Sequence, residues 1–418
     1  MISIKRTPIR LKADPKKVII KSLDFGDPAR SEPVINFVLG LSEQQAAEQL
    51  QNILEEFEHR HYDLKKVFLE NFDRQVPLTS AGLETMPTLK KLLIGAYFTH
   101  EYSNESAALF NPSIVPHPDQ SGLGEGELRF ILSLRAVGEG HISSISFQTG
   151  IVTADGEVTL DQRADKLSTG QVSSKKAEAQ YDLHFSADIP LSGRVLFPQS
   201  AAESNGMEDA RFVQFFDNGE SRYYGTYTAY NGRAIQPHLI ETTDFQNFKI
   251  RPFQGSAASN KGMALFPEKI NGHYAMVGRQ GGRNLSIMYA DDLLIWDDHQ
   301  LLQTPQRDWE MLQMGNCGSP IKTDKGWLLL THAVSAMRKY TLSFTLLDLE
   351  HPERVLASLE QPLLSPNAEE REGYVPNVLY TCGLLLHNGN LIIPYAMSDS
   401  SISFAVVGVE EVLAAMLG

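Results

Sequence analysis

Tight-turn signals recurring at a near-constant interval constrain this chain more than any other feature. Asp217-Asn218-Gly219, Ile270-Asn271-Gly272, Thr323-Asp324-Lys325-Gly326 and His387-Asn388-Gly389 each stand between apolar or aromatic runs. An Asn-Gly pair tolerates the positive φ that a two-residue hairpin demands, so each signal predicts two antiparallel strands. They recur roughly every fifty to sixty residues, an interval that suits about four strands per unit and predicts a repeat of small antiparallel sheets.

Each unit opens on a small or Pro-containing segment: Gly206-Met207-Glu208-Asp209-Ala210, Gly262-Met263-Ala264-Leu265-Phe266-Pro267-Glu268, Gly318-Ser319-Pro320-Ile321 and Gly373-Tyr374-Val375-Pro376-Asn377-Val378. An earlier stretch fits the same mould, from Ala107-Ala108-Leu109-Phe110-Asn111-Pro112-Ser113 through Leu128, Phe130 and Leu132 to Ile142, Ser144 and Ser146. That makes five. The expected fold is an all-β main domain, a five-bladed β-propeller over residues 101–418. In such a ring the inner strand of every blade faces one funnel, where polar groups at the openings would meet.

Residues 1–100 read differently, as an N-terminal extension with helices. Ser42 and Gln45 form a capping-box signature, followed by Ala46, Ala47, Leu50, Ile53, Leu54 and Phe57 at helical spacing. The pattern resumes at Tyr62, Leu64, Val67, Phe68 and Phe72. A further helix carries Leu83, Met86, Leu89, Leu92, Leu93 and Tyr97, with Pro87 marking a boundary or kink. These apolar faces predict packing, as a docked extension, a lid or a homo-oligomer contact.

The net charge of −14 argues against a nucleic-acid partner, which would require a basic face. No run approaches the ~18 apolar residues of a membrane span, and the first residues lack the apolar core of a signal peptide, so the expectation is a cytoplasmic protein without membrane contact. The two cysteines, Cys317 and Cys382, form no disulfide framework and read as buried free thiols. No histidine spacing suits a metal, no nucleophile elbow surrounds a serine, and no cofactor motif is present.

The richest segment is Asn205-Gly206-Met207-Glu208-Asp209-Ala210-Arg211, two adjacent carboxylates and a guanidinium before the run Phe212–Phe216. Adjacent strand residues point to opposite faces, so one carboxylate can face a cleft while the other braces the local structure. Around it, the openings supply Asn111, Lys261, Glu268, Arg279, His332, Asn377 and Asp399, with Tyr181 and Tyr230 as aromatic candidates. Carboxylates with Asn and Arg donors and aromatic rings suit a polyhydroxylated sugar. Glycosidic cleavage needs one carboxylic acid on the leaving oxygen and a base or nucleophile on the other face. A sugar-binding propeller without catalysis is the alternative in another class, and the intact Glu208-Asp209 pair weighs against it.

Beyond those residue types, the order of motifs is specific. Asn205–Arg211, Tyr227-Thr-Ala-Tyr230, Leu265-Phe-Pro-Glu-Lys269, Gly326-Trp-Leu-Leu-Leu330, Val375-Pro-Asn-Val378 and Tyr395-Ala-Met-Ser-Asp399 resemble, in sequence, the successive motifs of glycoside hydrolase family 130. The resemblance runs from about residue 105 to 410 and implies β-mannoside phosphorylase or β-1,2-mannosidase activity on a five-bladed propeller. It implies that Asp209 is the acid, relaying its proton through a hydroxyl of the terminal mannose, and that Asp399 holds that mannose. Glu208 and Arg211 match positions with structural or sugar-contact roles. Ala210 stands where the family carries proline.

Phosphorolysis requires cations around a phosphate dianion. The resemblance places an Arg near Gln236, a Lys at Lys261 and a His-Arg pair at Gly278-Arg279, so two of the cationic positions read as lost. On that basis the sequence predicts an inverting, exo-acting hydrolase on β-1,2-linked manno-oligosaccharides, with a phosphorylase giving mannose 1-phosphate as the alternative. The base is open among Glu268, Glu208, Glu105 and Glu372.

Overall fold

The computed structural model describes residues 2–75, 86–177 and 179–418. They fall into two compact units: Met1–Asp14, Glu105–Arg163 and Thr169–Gly418 in one, Pro15–Asn104 with Ala164–Ser168 in the other. The division is therefore not a single cut at residue 100. The first fourteen residues belong to the β unit because Lys5–Arg6 and Leu11–Lys12 pair antiparallel with its last strand, Ser401–Gly408.

The β unit is built from consecutive antiparallel meanders. Ala108–Pro116, Leu128–Val137 and Ser143–Val152 form the first, with Val158–Leu160 at its edge. Gly206–Asp217, Glu220–Tyr230, Ile235–Thr242 and Asn247–Pro252 form the second, extended outward by Gln180–His184 and Gln171–Ala177. A parallel pairing of Gly206 with Ser143 merges these two into one eleven-stranded sheet. Three separate sheets follow, centred on Tyr274–Gly278, Trp327–Val334 and Asn390–Met397. Their middle strands are buried on both faces, which is why they read as near-continuous apolar runs rather than alternating ones.

The turn chemistry acts as its residue types dictate. Asp217 pairs with Glu220, Ile270 with His273 and His387 with Asn390, each across an Asn-Gly pair at positive φ. These are two-residue hairpins of the primed kind, whose twist matches that of the flanking strands.

Two of the openings share a second device. The register slips between Phe110 and Ser113 and again between Glu208 and Arg211, so that two residues face one. These are β-bulges, and each holds a non-glycine residue left-handed: Asn111 at φ 49 and Asp209 at φ 52. A side chain in that region costs on the order of 1 kcal/mol, so the surroundings must hold it there.

The helical unit contains Pro28–Gly40, Glu43–Phe57, Leu64–Gln75 and Thr88–Tyr97. Ser42 and Gln45 close the reciprocal capping box that the sequence predicts, and Pro87 sits at the N-cap of the last of these helices. Ile35, Val38, Ala46, Leu50, Phe68, Phe72, Leu93 and Phe98 make its core. Leu83, which the periodicity places on a helix, lies outside the described residues. The helix Pro28–Gly40 precedes the stretch that the sequence marks as helical, and it accommodates Pro33 in its interior.

Candidate active site

The two bulges meet. Asn111 donates through Nδ2 to Asp209 Oδ1 at 2.7 Å, and Arg135 reaches the same oxygen at 3.3 Å. Arg135 comes from near the end of Leu128–Val137 and also donates to Glu208 Oε1 at 2.7 Å and Ser143 Oγ at 2.9 Å. Its guanidinium carbon lies 5.1 Å from the centre of the Phe110 ring. Lys261 holds the other Glu208 oxygen at 2.5 Å. Both Glu208 oxygens are therefore bound to cations and the residue is buried. Glu208 braces Arg135 and Lys261; it is not free to activate water.

Arg211 is fully committed to the protein. Its Nη1 donates to the Asp209 carbonyl at 2.6 Å, Nε to the Cys317 carbonyl at 2.9 Å and Nη2 to Tyr380 Oη at 2.8 Å. At 2 % exposure it cannot be the substrate contact that the motif suggested. It pins the strained bulge from behind, with the buried thiols Cys317 and Cys382 backing that support.

Tyr380 leads to a further cluster. Its ring centre is 4.9 Å from that of His332, which accepts through Nε2 from Arg279 Nη1 at 3.3 Å. Burial and the Arg279 charge push His332 well below its ordinary pKa, so it is a neutral imidazole. Arg279 Nε is buried and has no hydrogen-bond partner among the described residues. Tyr340 stacks on His332 at 6.0 Å and donates its N–H to the carbonyl of Asn377, whose side chain is engaged by Arg371.

Asp209 and Asp399 titrate in opposite directions. Burial pushes Asp209 up, but Arg135, Arg211, Asn111 and Lys261 outweigh it and hold the carboxyl below the usual range. Asp399 is pushed up to about 6, first by burial and then by the Asp209 charge, with Arg135 and Arg338 pulling the other way. In the free protein Asp209 is ionised and Asp399 is the carboxyl that holds a proton near pH 6. Their surroundings thus push the two carboxyls apart.

Other expected members lie elsewhere. Glu268 is on the surface, paired with Lys322 at 2.5 Å. Its neighbour Pro267 accepts from Phe216 N, at the hairpin end of the strand whose other end carries Asp209, so Glu268 is no candidate base. Glu105 is wholly buried against Arg163 and the N–H of Asp14, and Glu372 is exposed. Tyr181 is a core residue donating to the buried Glu203 at 3.0 Å. Tyr230 sits half-buried at the end of Glu220–Tyr230, paired with Gly206. No group of His, Cys, Asp and Glu among the described residues could hold a metal ion. No helix among them is long and apolar enough to cross a membrane.

Arg135 and Tyr380 escaped the sequence reading. The signal for Arg135 is a cation between Leu134 and Ala136 in a largely apolar strand, and its carboxylate partners are more than seventy residues away.

A family model described as β-1,4-mannooligosaccharide phosphorylase (Glyco_hydro_130) matches residues 183–417, more than half of the chain. The chain belongs to glycoside hydrolase family 130. Family 130 is an enzyme family acting on β-mannosides, and most of its named members here are phosphorylases. A 1,2-β-oligomannan phosphorylase of Thermoanaerobacter sp. (strain X514) is 34% identical over 226 residues, covering 53% of this chain and 75% of that protein. A β-1,2-mannobiose phosphorylase of Listeria innocua serovar 6a is 31% identical, covering 52% of this chain and 62% of its own length. Among solved structures, the Listeria innocua β-1,2-mannobiose phosphorylase in complex with β-1,2-mannobiose superposes with a TM-score of 0.51 at 22% identity, over 74% of this chain and 92% of that one. A structure described under glycoside hydrolases of the family that target β-1,2 mannosidic linkages in Candida mannan gives 0.54 at 17%, over 74% and 87%. At these identities the structural likeness establishes the family 130 fold and nothing finer.

Proposed function

We propose that this chain is a β-mannoside phosphorylase that transfers the terminal mannosyl group of a β-1,2-linked manno-oligosaccharide to inorganic phosphate. The C1–O bond to the leaving sugar breaks, a phosphate oxygen bonds C1 from the opposite face, and the leaving oxygen takes a proton. Mannose 1-phosphate of inverted configuration results. The observation that carries the reading is Arg279, which commits one N–H group to His332 while its buried Nε has no partner among the described residues. An unsatisfied guanidinium N–H suits an anion, and Lys261, paired with Glu208, is a second cation of the cluster. The names of the relatives support the same choice over hydrolysis. So does the condition of the expected bases: Glu208 is doubly paired, Glu268 is remote and Glu105 is buried in an ion pair.

In this reading Asp209 passes a proton through a mannose hydroxyl to the leaving oxygen, and Asn111 and Arg135 fix its carboxylate. Because Asp209 is ionised in the free protein, it must gain that proton as sugar enters. Asp399 would hold the same mannose. We further propose that the meanders close into a five-bladed propeller around this cluster. Bonds between successive sheets support it: Phe216 to Pro267, Asn316 to Gly262, Tyr340 to Asn377 and Cys382 to Pro112.

One observation favours hydrolysis as a second reading. Asp399, at about 6, has the pKa of a general base suited to neutral pH, and Gly278 and Gln236 bring no charge for phosphate. Incubation with β-1,2-mannobiose decides between them. The expected result is mannose 1-phosphate formed only with phosphate present, and a phosphate KM at least ~10-fold higher in Arg279→Ala. Free mannose released at the same rate without phosphate would overturn the proposal.

A further inference from the structure

The helical unit lies outside the span matched by the family model, which begins at residue 183, and it contains a cavity of about 190 Å3. Its walls are apolar for most of their extent, with Ile20, Ile53, Phe57 and Phe68 among them. The cavity opens to solvent, and it is far larger than the gaps that close packing leaves between side chains. An apolar cavity of about 150 Å3 accepts a benzene ring. This one has room for a ring and a little more.

The lining also includes His61, Thr99, Glu101 and His100, the last with its Nδ1 3.0 Å from the Glu101 carbonyl. Glu101 accepts from Arg60 through Nε at 2.8 Å and Nη2 at 3.1 Å, and lies 2.6 Å from His61 Nε2. A carboxylate only accepts, so Nε2 carries the imidazole proton and Nδ1 is left as a lone-pair acceptor. His61 is 4% exposed, and its Nδ1 is buried with no hydrogen-bond partner among the described residues. The neighbouring Thr99 hydroxyl is already satisfied, donating to the Gly95 carbonyl at 2.7 Å and accepting from Asn71 at 2.8 Å. What is missing is a single donor on an apolar body. A free hexose does not fit that description, because most of its hydroxyls would be buried without partners. Nor does a cation, since Arg60 already neutralises Glu101.

We propose that the helical unit carries a binding site for a small aromatic alcohol, one ring with one hydroxyl, which donates to His61 Nδ1 while the ring fills the space between Ile20, Ile53, Phe57 and Phe68. The site is distinct in chemistry from the mannoside cluster and makes no use of it.

The test uses the full chain with p-cresol as the probe and toluene as its hydroxyl-free match. Calorimetry or ligand-observed NMR is expected to show saturable p-cresol binding, at least ~10-fold tighter than toluene, the ratio that one buried hydrogen bond supplies. Carbon-13 methyl signals of Ile20 and Ile53 in the unmodified protein are expected to shift with the same saturation curve. Ala96→Leu and Ile53→Phe, each adding bulk to the cavity wall, are expected to abolish binding. His61→Phe is expected to bind both probes equally. Saturable binding that survives both filling variants, a hydroxyl preference kept in His61→Phe, or no saturable shift of the two isoleucine methyls overturns the proposal. The methyl readout needs no substitution, so a variant that fails to fold leaves the test intact.

Discussion

The bulges at Phe110-Asn111-Pro112-Ser113 and Glu208-Asp209-Ala210-Arg211 are the same backbone device with different chemistry at the tip. Both set two residues against one and both hold the first left-handed, at φ 49 and φ 52. The first presents an amide, and proline stiffens the position after it. The second presents a carboxylate followed by alanine, and the stiffness comes from Arg211 gripping the Asp209 carbonyl. The amide of one donates to the carboxylate of the other. A structural bulge and a chemical one are thus built alike, and the difference lies in what restrains each.

The largest effect is expected when the tip of the second bulge loses its charge. Asp209→Asn should lower kcat by ~10³-fold or more while the melting temperature stays the same or rises, because proton transfer by a positioned carboxyl is worth that much. Unchanged turnover on a β-mannoside would remove Asp209 from the chemistry. Next, Asn111→Ala leaves Asp209 with Arg135 alone on Oδ1. A hydrogen bond to a charged group contributes about 1.5–3 kcal/mol, so kcat/KM should fall ~10- to 100-fold, and Asn111→Asp should be worse than Ala because it sets like charges together.

Asp399 supplies a test in stability. Its folded pKa of about 6 lies above the ordinary value of an unfolded Asp, about 3.9. The fold therefore favours the neutral carboxyl: its contribution is fully present below pH 4 and lost as pH rises through about 6. Asp399→Asn should stabilise the protein by ~3 kcal/mol at pH 7.5 and by well under ~1 kcal/mol at pH 4, as read from denaturant titrations at both pH values. The smallest effect is the most direct comparison of the two bulges. Ala210→Pro gives the second bulge the residue of the first, and Asn111-Pro112 shows that proline tolerates a left-handed predecessor in this geometry. A gain of about 0.5–1 kcal/mol with kcat unchanged is expected; a loss would mean that the two backbones differ after the tip.

How much of this was legible follows from how far each residue must reach. The Asn-Gly hairpins and the Ser42–Gln45 box are settled within four residues of chain, and the structure has them where the residue types ask for them. Glu268 misled because nearness to a unit opening does not say which end of a strand the chain has reached. Ala264–Leu265 is only two residues long, so Phe266-Pro267-Glu268 has already travelled to the hairpin edge. Arg135 was invisible because nothing local marks it, and its partners Glu208 and Asp209 come from another meander. Glu208 was recognised, but its engagement by two cations depends on residues 73 and 53 positions away.

The pairing of Lys5–Arg6 with Ser401–Gly408, reinforced by Arg6 on the buried Glu370, has a consequence in time. The two partners are separated by nearly the whole chain, so that sheet has no finished edge until synthesis has passed residue 408. Contacts of such long sequence range are the slowest to form, because the entropy of closing the loop is met before any pairing rewards it. The Ser401–Gly408 strand waits with one side unpaired until the earliest residues return to it, and a waiting edge is where a second nascent copy can pair by mistake. Residues 5 and 6, with residues 11 and 12, therefore act as a latch that closes this edge.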